Sequence, residues 1–182
     1  MNTKMGKIVK MSKILDAFLK IGAIVLIMFV VLAMLMIFTV PSLDVVKFES
    51  GFLSFSGLWG NSSFIGNTEG LQAAMILGML NSGVAAAILF VASFIFKGIS
   101  CERTPFTQKN SKRLKIISLL LVALGAVVPP LQMLLVLVFI NHAAEIYFSI
   151  NIGHFVFAAM FYCLALIFEY GAELQRESDE TL

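Results

Sequence analysis

The stretch KGISCERTPFTQKNSKRLK, residues 97–115, carries six basic residues against one acidic and is bounded on each side by a long uncharged run. Upstream no formal charge occurs from Gly70 to Phe96; downstream, from Ile116 to Phe168, the only one is Glu145. A charged side chain at the centre of a membrane helix costs about 2.5 to 3.5 kcal/mol, and basic residues accumulate in the loops on the cytoplasmic side. The stretch therefore reads as a cytoplasmic connection between membrane spans.

Working outward, Gly70–Phe96 predicts a span over 73–96, long enough at 1.5 Å per residue to cross a hydrocarbon core of ~30 Å. The 53 residues from Ile116 to Phe168 are too many for one crossing and predict two, near 116–140 and 152–168, turning at Asn141, His142, Glu145 and Asn151. Pro129-Pro130 falls inside the first of these, where missing backbone donors predict a kink. Nearer the N-terminus, Ile21–Val40 supplies a further apolar span. A cleaved signal peptide is the competing reading, but its apolar region runs to about 7 to 15 residues and ends at a small-residue site, for which Val40-Pro41-Ser42 is a poor match.

Four crossings place both termini on one side, together with residues 97–115. That side then holds twelve of the thirteen Lys and Arg residues, and the outer loops hold Lys47 alone. The expected fold is an all-α, integral membrane four-helix bundle over 1–182, with an outer loop 41–72, a cytoplasmic basic loop 97–115 and a cytoplasmic tail 169–182. With 59% hydrophobic and 13% charged residues, the chain departs from soluble domains, where charged residues run near 25%. The net charge of +2 conceals +9 over 1–20 and 97–115 and −4 over 169–182. Anionic lipid headgroups account for the basic segments at about 1 kcal/mol per residue, so membrane lipid is the expected contact and direct nucleic-acid binding is not expected.

Small residues recur every four positions in the second span, at Ala74, Gly78, Ser82 and Ala86. This spacing lines one helix face and lets another backbone approach closely, either within the bundle or in a homo-oligomer. In the outer loop, Phe48, Phe52, Phe55, Leu58, Trp59 and Phe64 suit a membrane surface or a short hairpin, and Asn61-Ser62-Ser63 matches a glycosylation acceptor.

His142, Glu145 and His154 are acceptable zinc ligands by type, but their mutual distances are unconstrained and interfacial polarity explains them as well. Asn81, Ser82 and Gln132 lie deep in predicted spans, as a solute pathway or as interhelical hydrogen bonds. Neither Cys101 nor Cys163 has a disulfide partner in a suitable position, and Cys163 reads as a small apolar residue. The sequence contains no paired intramembrane aspartate, Gly-x-Ser-x-Gly, His-Glu-x-x-His or phosphate-binding glycine loop. No enzymatic activity and no cofactor or metal is expected.

The cytoplasmic segments are more specific. Thr104-Pro105-Phe106-Thr107 predicts an extended approach and a Thr107 helix cap, because a residue before proline avoids the helical region and Thr favours capping. On the helix that follows, Lys109, Lys112 and Arg113 fall at i, i+3 and i+4, a basic face; after the last span, Glu169, Glu173 and Glu177 form an acidic row at spacing four. These six residues are the expected partner-binding surface.

Pro105-Phe106-Thr107 with Asn110, Arg113 and Leu114, followed by Gly171-Ala172-Glu173-Leu174-Gln175, Glu177, Asp179 and Thr181-Leu182, resembles the bacterial membrane family called domain of unknown function 2975. Lys109 stands where that pattern often has an acidic residue. The resemblance implies a four-span protein of the bacterial inner membrane. Relatives are frequently encoded beside a small helix-turn-helix DNA-binding regulator, which implies a regulatory pair. The functional expectation is thus a non-enzymatic, multi-pass regulatory component engaging such a cytoplasmic regulator. A small transporter or channel subunit, and an immunity or stress-protection protein, are the alternatives.

Overall fold

A computed structural model describes residues 3–39, 68–131, 134 and 152–180, and among these it contains helices and one short connection but no strand. Four long helices follow in order: α1 (Thr3–Thr39), α2 (Thr68–Glu102), α3 (Gln108–Ala126) and α4 (Ile152–Glu180). Three contain stretches long and apolar enough to cross a membrane, Gly6–Leu35, Gly78–Glu102 and Ile152–Glu180. The chain is therefore a helical protein with membrane-spanning character. The expected third span falls on α3 and the residues after it, of which 132, 133 and 135–140 lie outside the described residues. Also outside them are Gln132, His142, Glu145, the aromatic residues from Phe48 to Phe64 and the Asn61 triplet.

The helices overrun the spans expected from hydropathy. α1 takes in the basic N-terminal segment and α4 the acidic tail, while α2 starts at Thr68, inside the expected outer loop. At 1.5 Å per residue α1 is about 55 Å long, well beyond a hydrocarbon core of ~30 Å. Hydropathy ends where charges begin, but Lys and Glu are good helix formers, so the backbone carries on past that boundary.

Helix packing follows chain order: α1 lies along α2, α2 meets α3, and α3 lies along α4. On α1 the inward positions are Val9, Ser12, Asp16, Leu19, Ala23, Leu26, Val30 and Ala33, alternating steps of three and four as in a coiled-coil seam. Asp16 is the one carboxylate on that seam, and Lys20 one turn later donates to its Oδ2 at 2.8 Å. Gly78, Ser82 and Ala86 of α2 are buried, and Ala74 is helical. Ile95, Leu114, Ile117 and Ala165 form a core shared by α2, α3 and α4, with Phe161 and Phe168 packed against it.

The proline pair acts where expected. Pro129 and Pro130 have no N–H for the carbonyls of Gly125 and Ala126, and the helix breaks at Val127 before resuming over residues 128–131. Bonds from Val127 N to Ala123 O (2.9 Å) and from Leu131 N to Val127 O (3.2 Å) bracket the break. Gly125 sits at the same level, where an added Cβ would stand 3.0 Å from the Phe155 ring and 3.2 Å from His154 Cβ, so α4 begins in close contact with α3.

Candidate functional site

The five residues Arg103–Thr107 turn the chain from α2 into α3, and a dense set of polar contacts among the described residues gathers around them. α2 ends because Arg103 adopts φ 56°, a left-handed conformation usually left to glycine, while its N–H bonds Ile99 O at 3.0 Å. Pro105 keeps Thr104 out of the helical region. Thr107 then caps α3 with extended backbone (φ −132°, ψ 147°), its Oγ1 accepting from Asn110 N at 3.2 Å.

Asn110 is fully buried and fastens this turn from beneath. Its Nδ2 donates to Pro105 O at 3.1 Å, and its Oδ1 accepts from Arg113 Nη1 at 3.0 Å. The same Nη1 donates to Phe94 O on α2 at 2.7 Å, and the guanidinium carbon lies 5.8 Å from the centroid of the Phe94 ring. This approach to the α2 backbone requires Gly98, since a Cβ there would lie 3.0 Å from both Arg113 Nη1 and Asn110 Oδ1. Arg113 is a tie between α2 and α3, whereas Lys109 and Lys112 are exposed.

α4 closes the other side, running antiparallel to α3, as the contacts from Gly125–Phe155 to Phe106–Gly171 show. Ser111 Oγ donates to Ala165 O at 3.0 Å. Phe106 wedges against α4: its ring lies 5.4 Å from that of Phe168 in an edge arrangement, and a Cβ at Gly171 would come within 2.6 Å of it. Thr104 Oγ1 donates to Gln175 Oε1 at 3.0 Å and accepts from Phe106 N at 3.3 Å. Lys115 Nζ donates to Glu169 Oε2 at 2.7 Å, and this hydrogen bond holds the Lys115 ammonium above the usual lysine range.

The six charges expected to form one surface thus divide. Arg113 and Glu169 point into contacts between helices; Lys109, Lys112, Glu173 and Glu177 are exposed, with Lys109 3.6 Å from Glu102. Gly78, Ser82 and Ala86 lie elsewhere on α2, in helix packing. Sequence reasoning missed Phe94, Gly98, Thr104 and the Lys115–Glu169 pair as parts of this junction. The available signal was Gly98 and Gly171 themselves, since glycine inside a helix costs about 0.5 to 1 kcal/mol relative to alanine and a close approach compensates for it. The thiols of Cys101 and Cys163 are free and exposed, and among the described residues no cluster of three or more His, Cys, Asp or Glu could hold a metal.

Chemically, the junction is a fastening: hydrogen bonds, an aromatic wedge and the Lys115–Glu169 ion pair fix three helix ends together. Comparison with curated proteins and with solved structures finds no match. A family model, described as "Protein of unknown function (DUF2975)", matches residues 64–182, which take in α2, α3, α4 and every residue of the junction, and the chain belongs to that family.

Proposed function

We propose that this protein is a non-enzymatic, four-crossing regulatory component of a bacterial inner membrane, with both termini and residues 97–115 in the cytoplasm. It holds a small cytoplasmic helix-turn-helix regulator at the α2–α3 turn and the end of α4. The observation that supports this reading is the division of the charges. The contacts of Asn110, Arg113, Phe106 and Gly171 fasten the turn, and Lys109, Lys112, Glu173 and Glu177 are carried outward on two helices whose relative position is thereby fixed. A regulator that binds DNA has a basic face, to which the exposed carboxylates of α4 are complementary. The transporter alternative gains no comparable support: Ser82 is buried in helix packing, Asn81 beside it on α2 is half-buried, and Gln132 lies outside the described residues.

Affinity capture from mild-detergent extracts tests the surface. Lys109→Glu with Lys112→Glu, and separately Glu173→Lys with Glu177→Lys, are expected to insert normally and to lose the captured regulator. Variants that retain the same captured proteins at the same salt sensitivity would defeat the proposal. Topology is checked by a single cysteine placed near Lys109 in intact cells. It should react with an impermeant reagent only after lysis, and reaction beforehand would reverse the orientation.

A further inference from the structure

The Lys115–Glu169 pair joins two helices, and its two residues are rooted at different depths. Ser111 of α3 bonds Ala165 of α4, and Gly125 meets Phe155, so counting between these contacts sets Lys115 level with Tyr162. Tyr162 accordingly acts electrostatically on the Lys115 ammonium. Glu169 lies seven residues nearer the charged end of α4, about 10 Å along the axis at 1.5 Å per residue. The lysine stem therefore leans toward that end to bring Nζ within 2.7 Å of Glu169 Oε2. Leu119 and Val122 share the face of α3 that carries Lys115, at i+4 and i+7, and Leu166 and Tyr162 share the face of α4 that carries Glu169, at i−3 and i−7. All four are exposed, while Ile117 and Phe161 turn to the core shared with α2. The two helices thus frame an apolar groove, uncovered among the described residues, with an ion pair at its charged end. The pair is not saturated. Glu169 Oε2 takes one of three ammonium N–H groups, and among the described residues Glu169 Oε1 and the other two N–H groups have no partner. The two side chains are 37% and 33% exposed, so a ligand reaches both.

We propose that this groove holds one phospholipid with a zwitterionic head bearing a primary ammonium, the phosphoethanolamine type. The lipid phosphate accepts from Lys115 Nζ, the lipid ammonium donates to Glu169 Oε1, and an acyl chain lies along Leu119, Val122 and Leu166. The order of the charges fits such a head. In a phospholipid the phosphate stands nearer the hydrocarbon and the amine farther out, and here the lysine is rooted deeper than the carboxylate. A choline head has no N–H to donate to Glu169, and a head with net negative charge is repelled by that carboxylate. The site is the same whichever way the chain is inserted, and its residues are separate from the four exposed charges assigned above to a regulator.

Native mass spectrometry of the delipidated full-length protein tests the site with phosphatidylethanolamine, phosphatidylcholine and phosphatidylglycerol of identical acyl chains. The ethanolamine lipid is expected to be retained about fivefold more than either of the others. Its N-methyl and N,N-dimethyl forms should be retained as well, and the loss should come with the third methyl, which removes the last N–H. Lys115→Glu combined with Glu169→Lys keeps an ion pair but reverses the order of its charges, so this variant should melt like the parent and bind the three lipids alike. Removing Lys7, Lys10 and Lys13 of α1 together, each to Gln, should leave the preference unchanged. Equal retention of the three lipids by the parent, or strongest retention of phosphatidylglycerol, would overturn the site. So would a charge swap that folds and keeps the preference, or a preference lost with the α1 lysines. The methyl series uses the parent protein, so it decides the matter should the swap fail to fold.

Discussion

The α1–α2 pair and the junction of α2, α3 and α4 are both helix contacts, yet they are specified by different chemistry. Along α1–α2 the specification is repetition: small and apolar side chains at steps of three and four, with Ala23, Ala33, Gly78, Ser82 and Ala86 buried. Any helix with a similar stripe would fit moderately well, since close packing in a membrane depends on small residues. At the junction the specification is by individual atoms. Asn110 joins Pro105 to Arg113, Arg113 reaches a single carbonyl on α2, and Phe106 occupies the space left by Gly171. The family match begins at residue 64 and so contains the second kind of contact entirely and the α2 half of the first, while α1 lies outside it. A periodic seam tolerates drift in sequence; a network of buried polar partners does not, because a lone buried donor or acceptor costs about 1 to 3 kcal/mol.

Substitutions that separate these two modes test the contrast. The largest effect is expected from Gly171→Val, which drives a branched side chain into Phe106 where even a Cβ lies 2.6 Å from the ring. The loss should be about 3 kcal/mol, read as a lower melting temperature of the detergent-solubilised protein. Gly171→Val melting like the parent would show that the wedge is not a tight contact. Asn110→Leu comes next, at about 2 kcal/mol, since it leaves the Pro105 carbonyl with the Thr107 N–H at 3.1 Å but without the Asn110 donor, and removes a partner of Arg113. Hydrogen exchange should rise at the first turn of α3 and leave the centre of α1 unchanged.

Within the periodic seam, Gly78→Leu should cost about 1 to 2 kcal/mol and loosen α1 from α2, while Leu77→Ala has the smaller effect. Equal detergent stability of the two variants would remove the case for close approach at Gly78. The smallest change is expected at Gly83, which has nothing within 4 Å of an added Cβ, and at Gly22, whose Cβ would meet Leu89 at an ordinary 3.4 Å. Alanine at either should leave the stability unchanged or raise it by up to about 1 kcal/mol through reduced backbone entropy, read as an equal or higher melting temperature. Gly98→Ala on the same helix as Gly83 should instead destabilise, because Arg113 Nη1 and Asn110 Oδ1 both lie 3.0 Å from the new methyl group. Opposite signs at two glycines of α2 would separate the modes within one element.

Uncharged length and the placement of Lys and Arg determined from sequence alone that the chain is helical and suited to a membrane. Those signals are local, so they located α1, α2 and α4 and the break near Pro129 and Pro130. The Thr107 cap was equally legible, because the side chain bonds a backbone group three residues away. Charge spacing also put Lys109, Lys112 and Arg113 on one helix, but it did not tell which of them points outward. Helical periodicity groups residues without naming the neighbour each group meets. Only the tertiary structure decided that Arg113 lies over Gly98 to reach Phe94 O, that Glu169 pairs with Lys115 across 54 residues, and that Phe106 needs Gly171 opposite it. The physical reason is distance along the chain: these contacts join three helices at one end, and a donor's partner across helices depends on packing register, which no local pattern encodes.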